Sequence, residues 1–353
     1  MNAPMRLAHR VRPVDLSDSA QRESIAAFVR EQAGSLFHTP AWLIAVESAT
    51  GHRACGLVSE RLGVITGWLP FTQIRSVLFG KALVSSGFGV GGGILAESDE
   101  AGQALADASL EYAAGNGFSS IELRGGPIPQ GFNPVTDKHC GFESELAKND
   151  EAQLLAIPRK ARAEVRKGLK NGLEVRVGSG KEDLAAHYSV YSESVRNLGT
   201  PVFPRSLFSR MLEGFAETSD ILTVLSDGKP IASVLSFYHQ GAVMPFWGGG
   251  TFAARAARAN EVMYYKLMCH ARERGAGRFN FGRSKTGSGP YFFKKNWGFE
   301  PQPLSYAMWN APGEDARDID PTSAAYARKI ALWKKLPLPL ANMIGPLIAR
   351  DLG

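Results

Sequence analysis

Two hydrophobic periods run through the chain, and they change places often. Apolar residues at helical spacing predict a helix over 24–30 and another from Pro40, with Thr39 as N-cap and Pro40 in the first turn. Strand-like runs follow at 54–59, 64–73 and 81–86, then an amphipathic helix over 99–115, a strand over 118–124 and a turn-rich exit to Pro134. A seam is expected at 149–158. Beyond it the pattern predicts a helix over 158–170, with Ala161, Val165 and Leu169 inward, and a strand over 173–177. Helices over 184–198 and 203–216 come next, then a hairpin about Asp227-Gly228 and a strand over 243–247. Asn260 is read as the N-cap of a helix that Gly275 stops, and 278–281 as a strand. Residues 282–289 read as a loop, Pro290 opens a short helix ended by Gly298, and 299–308 reads as the last strand.

The first 20 residues are polar and Arg-rich, which suits a loose arm or an edge strand. The end of the chain differs from its body. Residues 311–320 form an acidic linker, 323–335 can be helical, Leu336-Pro337-Leu338-Pro339 breaks that helix, and 342–352 is apolar. Such a tail can pack on the body, pair with a second copy, or lie on a membrane surface beside Lys334 and Lys335. The expected organisation is α+β: one mixed-sheet domain over 1–150, a second over 151–310, and a linker with a helical tail over 311–353.

Composition narrows the classes little. The 353 residues are 44% hydrophobic and 21% charged, with a net charge of +6, which accommodates anionic partners without selecting one. Cys55, Cys140 and Cys269 are widely spaced, giving no disulfide framework and no metal spacing, so a reducing cytoplasm is the expected compartment. No signal peptide and no bilayer-spanning apolar run is read. The metalloprotease pattern His-Glu-x-x-His and the serine-hydrolase pattern Gly-x-Ser-x-Gly are absent.

The order helix, strand, cationic loop, short helix, strand over 260–306 resembles the end of the Gcn5-related N-acyltransferase (GNAT) fold. Phe293-Lys294-Lys295-Asn296-Trp297 resembles the Phe-Lys-x-x-Phe element of FemAB-type transferases, which contain two such domains. Phe37-His38-Thr39-Pro40-Ala41-Trp42 is similar to their Phe-x-Ser-Pro-x-Trp opening, and Gly87 to Gly93 to their first-domain glycine cluster. Phe281-Gly282-Arg283-Ser284-Lys285 followed by Phe293 to Pro301 is similar to the branch associated with exosortase (PEP-CTERM) and exopolysaccharide gene clusters. The resemblance spans most of 35–310. It implies an N-acyl or aminoacyl transferase acting on an anionic envelope or exopolysaccharide precursor, small or lipid-linked, with aminoacyl-tRNA or acyl-CoA as donor and no tightly bound cofactor. A non-catalytic scaffold in polysaccharide assembly is the alternative.

Lys294 is the catalytic candidate, since the resemblance puts it beside the transferred carbonyl. Arg283, Ser284 and Lys285 at a strand end, with Lys295, form a candidate anion site; otherwise they are a solvated loop. Arg162 and Arg166, with Arg159 and Lys170, make a basic stripe that suits diphosphate or tRNA, or is only a solvated face. Trp247 and Tyr291 line a groove or belong to the core. His38 reads as a residue at the start of a helix rather than a catalyst. Arg272 to Gly277 spells a coenzyme A pyrophosphate motif, but it closes a helix instead of opening one. The topologically equivalent stretch is Gly248 to Thr251.

Overall fold

The structure, a computed structural model, describes residues 9–77, 79–314 and 324–353, with the backbone alone for 324–328. The chain forms two compact units. Unit 1 takes residues 1–136, 305–319 and 351–353; unit 2 takes 137–304 and 320–350.

Unit 1 starts with an edge strand, β1 (Arg10–Pro13), antiparallel to β2 (Ala54–Arg61). Between them lie α1 (Ser19–Glu31) and α2 (Pro40–Thr50). The Asp18 carboxylate caps α1 five residues before the expected helix, and Thr39 and Pro40 start α2 as their chemistry requires. β3 (Val64–Ser76) and β4 (Gly80–Ser85) extend an antiparallel meander, with the short β5 (Leu95–Ala96) beside β3. α3 (Asp99–Asn116) lays Ala101, Leu105, Ala106 and Ala113 onto the sheet, and β6 (Ser120–Arg124) then pairs parallel to β4. β7 (Asn133–Val135) lies at the far edge.

The glycine cluster before β5 serves a close approach of backbone to backbone. A Cβ on Gly93 would come within 1.9 Å of the Gly125 carbonyl oxygen. His38 belongs to this packing. Its Nδ1 accepts from the Ser35 amide (3.0 Å), so Nε2 donates to the Gly93 carbonyl (2.9 Å).

Unit 2 repeats the scheme. It begins with β8 (His139–Glu145), which the sequence did not announce, and continues with α4 (Asp150–Ala156), α5 (Arg159–Leu169), β9 (Glu174–Gly178), α6 (Lys181–Leu198) and α7 (Arg205–Gly214). The meander is β10 (Ser219–Ser226), β11 (Lys229–His239) and β12 (Ala242–Gly250). α8 (Phe252–Ala257) and α9 (Ala259–Glu273) lead to β13 (Arg278–Asn280), parallel to β12. β14 (Ser284–Lys285) and β15 (Pro301–Pro303) both pair with β8 and flank α10 (Gly289–Asn296). Then β16 (Tyr306–Asn310) returns to unit 1 between β6 and β7, while α11 (Ala324–Trp333) and α12 (Leu338–Ala349) belong to unit 2.

Several expectations change. The cut at 150/151 falls inside unit 2, because β8 pairs with β13, β14 and β15. The single strand expected over 299–308 is two strands in two different sheets. Part of the expected 282–289 loop is β14. Asn260 is not the cap of α9: Arg258, in the left-handed region at φ 58°, holds that position directly after α8. Leu169 is exposed at the end of α5, and Gly168 faces inward instead. A Cβ on Gly168 would lie 2.6 Å from Val262 of α9, so the helices meet where a side chain is missing. Residues 315–320 of the acidic linker lie outside the described residues.

Candidate active site

In unit 2 the parallel strands β12 and β13 share only two registers, Ala242 with Arg278 and Val243 with Phe279. Beyond them β12 runs on to Gly250 against β11 alone, while the chain after β13 turns away into Phe281-Gly282-Arg283. Parallel strands that part at their C-terminal ends leave backbone groups and side chains free to meet a ligand.

Lys294 reaches this place from the last turn of α10. Ser288 caps that helix, its hydroxyl accepting from the Tyr291 amide (3.4 Å), and Pro290 presets the first turn. The Lys294 side chain runs inward past the rings of Phe142 and Phe281, with Nζ 5.3 and 5.4 Å from their centroids. Nζ donates to the carbonyl oxygens of Gly282 (3.2 Å) and Arg283 (3.1 Å), and the residue is only 7% exposed. Among the described residues no carboxylate pairs with it. Burial, and secondarily the Arg283 charge, lower its pKa to about 7. A charged Nζ has three N–H donors, and two are held by carbonyls. A neutral Nζ has two, and its lone pair then takes the direction of the third. One position therefore offers a proton or accepts one.

Ser284 lies next in the chain after the carbonyl that holds Lys294. It is buried in β14, and its hydroxyl has no hydrogen-bond partner among the described residues. Such a group costs stability unless a water or a ligand completes it. Arg283 and Lys285 flank it, half-buried, so these three predicted residues come together with Lys294. Lys295 points away: it is exposed, with Nζ over the Tyr291 ring (5.7 Å). Tyr291 packs edge-on against Phe142 (5.6 Å), which makes it part of the wall behind Lys294.

Other predicted residues lie elsewhere in unit 2. Trp247 is buried among Phe203, Phe208, Phe237 and Phe246, an aromatic core cluster. Arg162 donates to the Leu155 carbonyl (2.8 Å), and Arg166 is exposed on α5. The stripe is partly neutralised, since Glu164 between them pairs with Lys167 and Arg258. The start of α5 does lie against the turn that ends α10: a Cβ on Gly298 would be 3.1 Å from Pro158. Sequence reasoning missed Phe142, the residue that encloses Lys294, because the alternation of β8 spans only Cys140 and Phe142 before the polar Glu143, Ser144 and Glu145. A cavity of about 210 Å³ in unit 1 holds none of the predicted residues, and its Arg12 and Glu60 already pair at 2.7 Å.

A coenzyme A pyrophosphate would need free amides where β12 passes into α8. The residues there do not fit it. The Glu193 carboxylate accepts from the Phe252 amide (3.0 Å), at the first residue of α8. The three glycines are filled by neighbours: a Cβ on Gly248, Gly249 or Gly250 would meet Val234, Ser194 or Asn260 at 2.9, 2.3 and 2.5 Å. In unit 1 the corresponding helix, α3, has Asp99 and Glu100 in its first turn and Ser98 as its cap. Negative side chains at both helix starts repel a pyrophosphate.

Residues 158–295 match the acetyltransferase (GNAT) domain family. No curated protein matches the chain. Among solved structures, FemX is similar with a TM-score of 0.62 at 16% identity, covering 83% of this chain and 96% of that one. A tandem GNAT protein from the clavulanic acid biosynthesis pathway is similar with a TM-score of 0.57 at 12% identity, covering 87% and 100%. L-PGS from Bacillus licheniformis gives 0.52 at 14% identity, covering 84% and 93%. The fold is thus a tandem of GNAT-like mixed-sheet units with a helical C-terminal segment. Among the described residues, no helix is long and apolar enough to cross a membrane, and no group of His, Cys, Asp and Glu could hold a metal ion.

Proposed function

We propose that the chain transfers an acyl or aminoacyl group to an amine on an anionic cell-envelope or exopolysaccharide precursor, with Lys294 at the reacting carbonyl. The observation that carries this reading is a buried lysine, held by two carbonyls and paired with no carboxylate among the described residues, beside an unpartnered buried hydroxyl. Structural lysines are seldom buried without a carboxylate, and perturbed groups in a cleft mark chemistry more often than packing. The amine nitrogen attacks the donor carbonyl carbon and forms the new C–N bond. Neutral Lys294 takes the proton the nitrogen sheds, then returns it to the donor oxygen as the C–O bond breaks. Ser284 donates to the carbonyl oxygen as charge builds there. Arg283 and Lys285 hold the anionic part of the acceptor.

The occupied amides at α8 favour an aminoacyl ester, as on aminoacyl-tRNA, over an acyl-CoA thioester. The basic stripe of α5, Arg162 and Arg166 included, supports the same donor, since guanidinium groups suit a nucleic-acid backbone. The acyl-CoA reading keeps one support, the GNAT family match over 158–295. The envelope acceptor and the exosortase (PEP-CTERM) association rest on the sequence resemblance alone.

The test is a transfer assay with radiolabelled aminoacyl-tRNA or acetyl-CoA as donor. The acceptors are the amine-bearing nucleotide-linked and lipid-linked saccharides extracted from the source cells. Transfer by the native protein and none by Lys294→Met, folded by circular dichroism, is the expected result. Undiminished transfer by Lys294→Met would overturn the role given to that residue.

A further inference from the structure

α12 is turned inside out for a surface helix. Its buried positions are Ala341, Gly345 and Ala349, four apart, while Leu340, Met343 (66%) and Leu347 (65%) are exposed. A helix that covers a core normally directs its large apolar side chains inward. Here the inward stripe must be small because α12 lies tight on unit 2. A Cβ on Gly345 would be 3.0 Å from the Val202 amide nitrogen, and Asn342 donates to the Ser192 hydroxyl of α6 (3.2 Å). No charged residue occurs from Leu336 to Ala349, so the outward face is aliphatic throughout.

The rim of that face is cationic. Lys334 and Lys335 are exposed just before α12, and Arg350 just after it. The end of α6 adds to the same neighbourhood, since Arg196 donates to the Lys334 carbonyl (3.2 Å) and a Cβ on Gly199 would meet Ile330 at 2.4 Å. Leu198 and Leu332, at the ends of α6 and α11, are 62% and 68% exposed.

An aliphatic face with cations at both ends is complementary to a layer of acyl chains beneath phosphate headgroups. A second copy of the chain fits less well. Antiparallel pairing of α12 with itself would bring Lys334 and Lys335 onto the partner's Arg350, and parallel pairing would bring lysine onto lysine. We propose that the exposed face of α12, rimmed by Lys334 and Lys335, docks the chain reversibly on an anionic lipid bilayer. This holds whether or not the protein is a transferase.

Flotation of the full chain tests it, using vesicles of phosphatidylcholine alone and vesicles mixed with phosphatidylglycerol. The mixed vesicles should carry the protein, and high salt should release most of it. Met343→Glu/Leu347→Glu should lower the partition onto them by roughly tenfold or more, because two apolar anchors are lost and two repelling charges gained. Lys334→Glu/Lys335→Glu should remove the preference for phosphatidylglycerol. All these side chains lie in water, so the variants should melt as the native protein does. Absence of flotation, or flotation untouched by Met343→Glu/Leu347→Glu, would overturn the proposal. So would a dimer seen by light scattering that this variant dissociates while vesicles bind nothing.

Discussion

The Glu193 carboxylate accepts from the Phe252 amide across 3.0 Å and so stands where a GNAT-like unit would receive a pyrophosphate. Calorimetric titration with desulfo-coenzyme A should therefore give no binding heat with the native protein. Glu193→Ala should uncap α8 and cost about 0.5–2 kcal/mol, read as a fall in melting temperature. Binding of desulfo-coenzyme A by the native protein in the micromolar range would return acyl-CoA to the leading position among donors.

The chemistry assigned to Lys294 requires that it lose its proton. Lys294→Arg retains charge and donors but cannot give up its proton near neutral pH, and should lose about 10²-fold or more in kcat, close to Lys294→Met. Native activity should rise with pH through an inflection near 7, as the lowered lysine pKa demands. Activity flat from pH 6 to 9, with Lys294→Arg fully active, would leave the residue as a mere cationic anchor.

Stability changes with pH in the same direction as activity. The folded-state pKa of Lys294 lies near 7, below the ordinary lysine value of 10.5, so between these the unfolded chain binds the extra proton. Native stability should therefore rise with pH across that window, and below pH 7 the cost of the buried charge is complete. Lys294→Met should be more stable than the native protein by about 2–5 kcal/mol at pH 6, and the advantage should shrink toward pH 10. Denaturant melts at the two pH values check this.

His187 is a second buried base, but with a structural role. It lies on α6, fully buried against β11 and Phe208 of α7, its Nδ1 lies 3.0 Å from the Ser233 hydroxyl, and burial lowers its pKa to about 3. Its contribution is present above pH 6.5 and is lost as pH falls toward 3, because the unfolded chain takes up the proton first. His187→Leu should flatten this acid limb, and Ser233 would still have the Thr223 hydroxyl at 3.0 Å. An unchanged acid midpoint in that variant would reject the assignment.

Local chemistry made much of the fold legible. Asp227-Gly228 turns with both residues at positive φ, Gly275 and Gly298 stop their helices in the left-handed region, and Ser288 with Pro290 starts α10. Non-local pairing was not legible. β14 is two residues long and exists only because β8 lies beside it, and Asn260 lost its capping position to a left-handed Arg258. The candidate site shows the same limit. A helical wheel sets Lys294 and Lys295 about 100° apart but does not say which of the two faces inward. Phe142, about 150 positions earlier in the chain, encloses the first and leaves the second in water.

Synthesis proceeds from the N-terminus, and β6 receives its outer neighbour only from β16, residues 306–310. β7 likewise has no partner until then. A ribosome-bound chain that has emitted only the first half carries a naked β6 margin throughout the translation of unit 2. Nascent chains stalled before residue 300 should be protease-sensitive in their first 136 residues. A fragment cut at that junction should aggregate rather than fold.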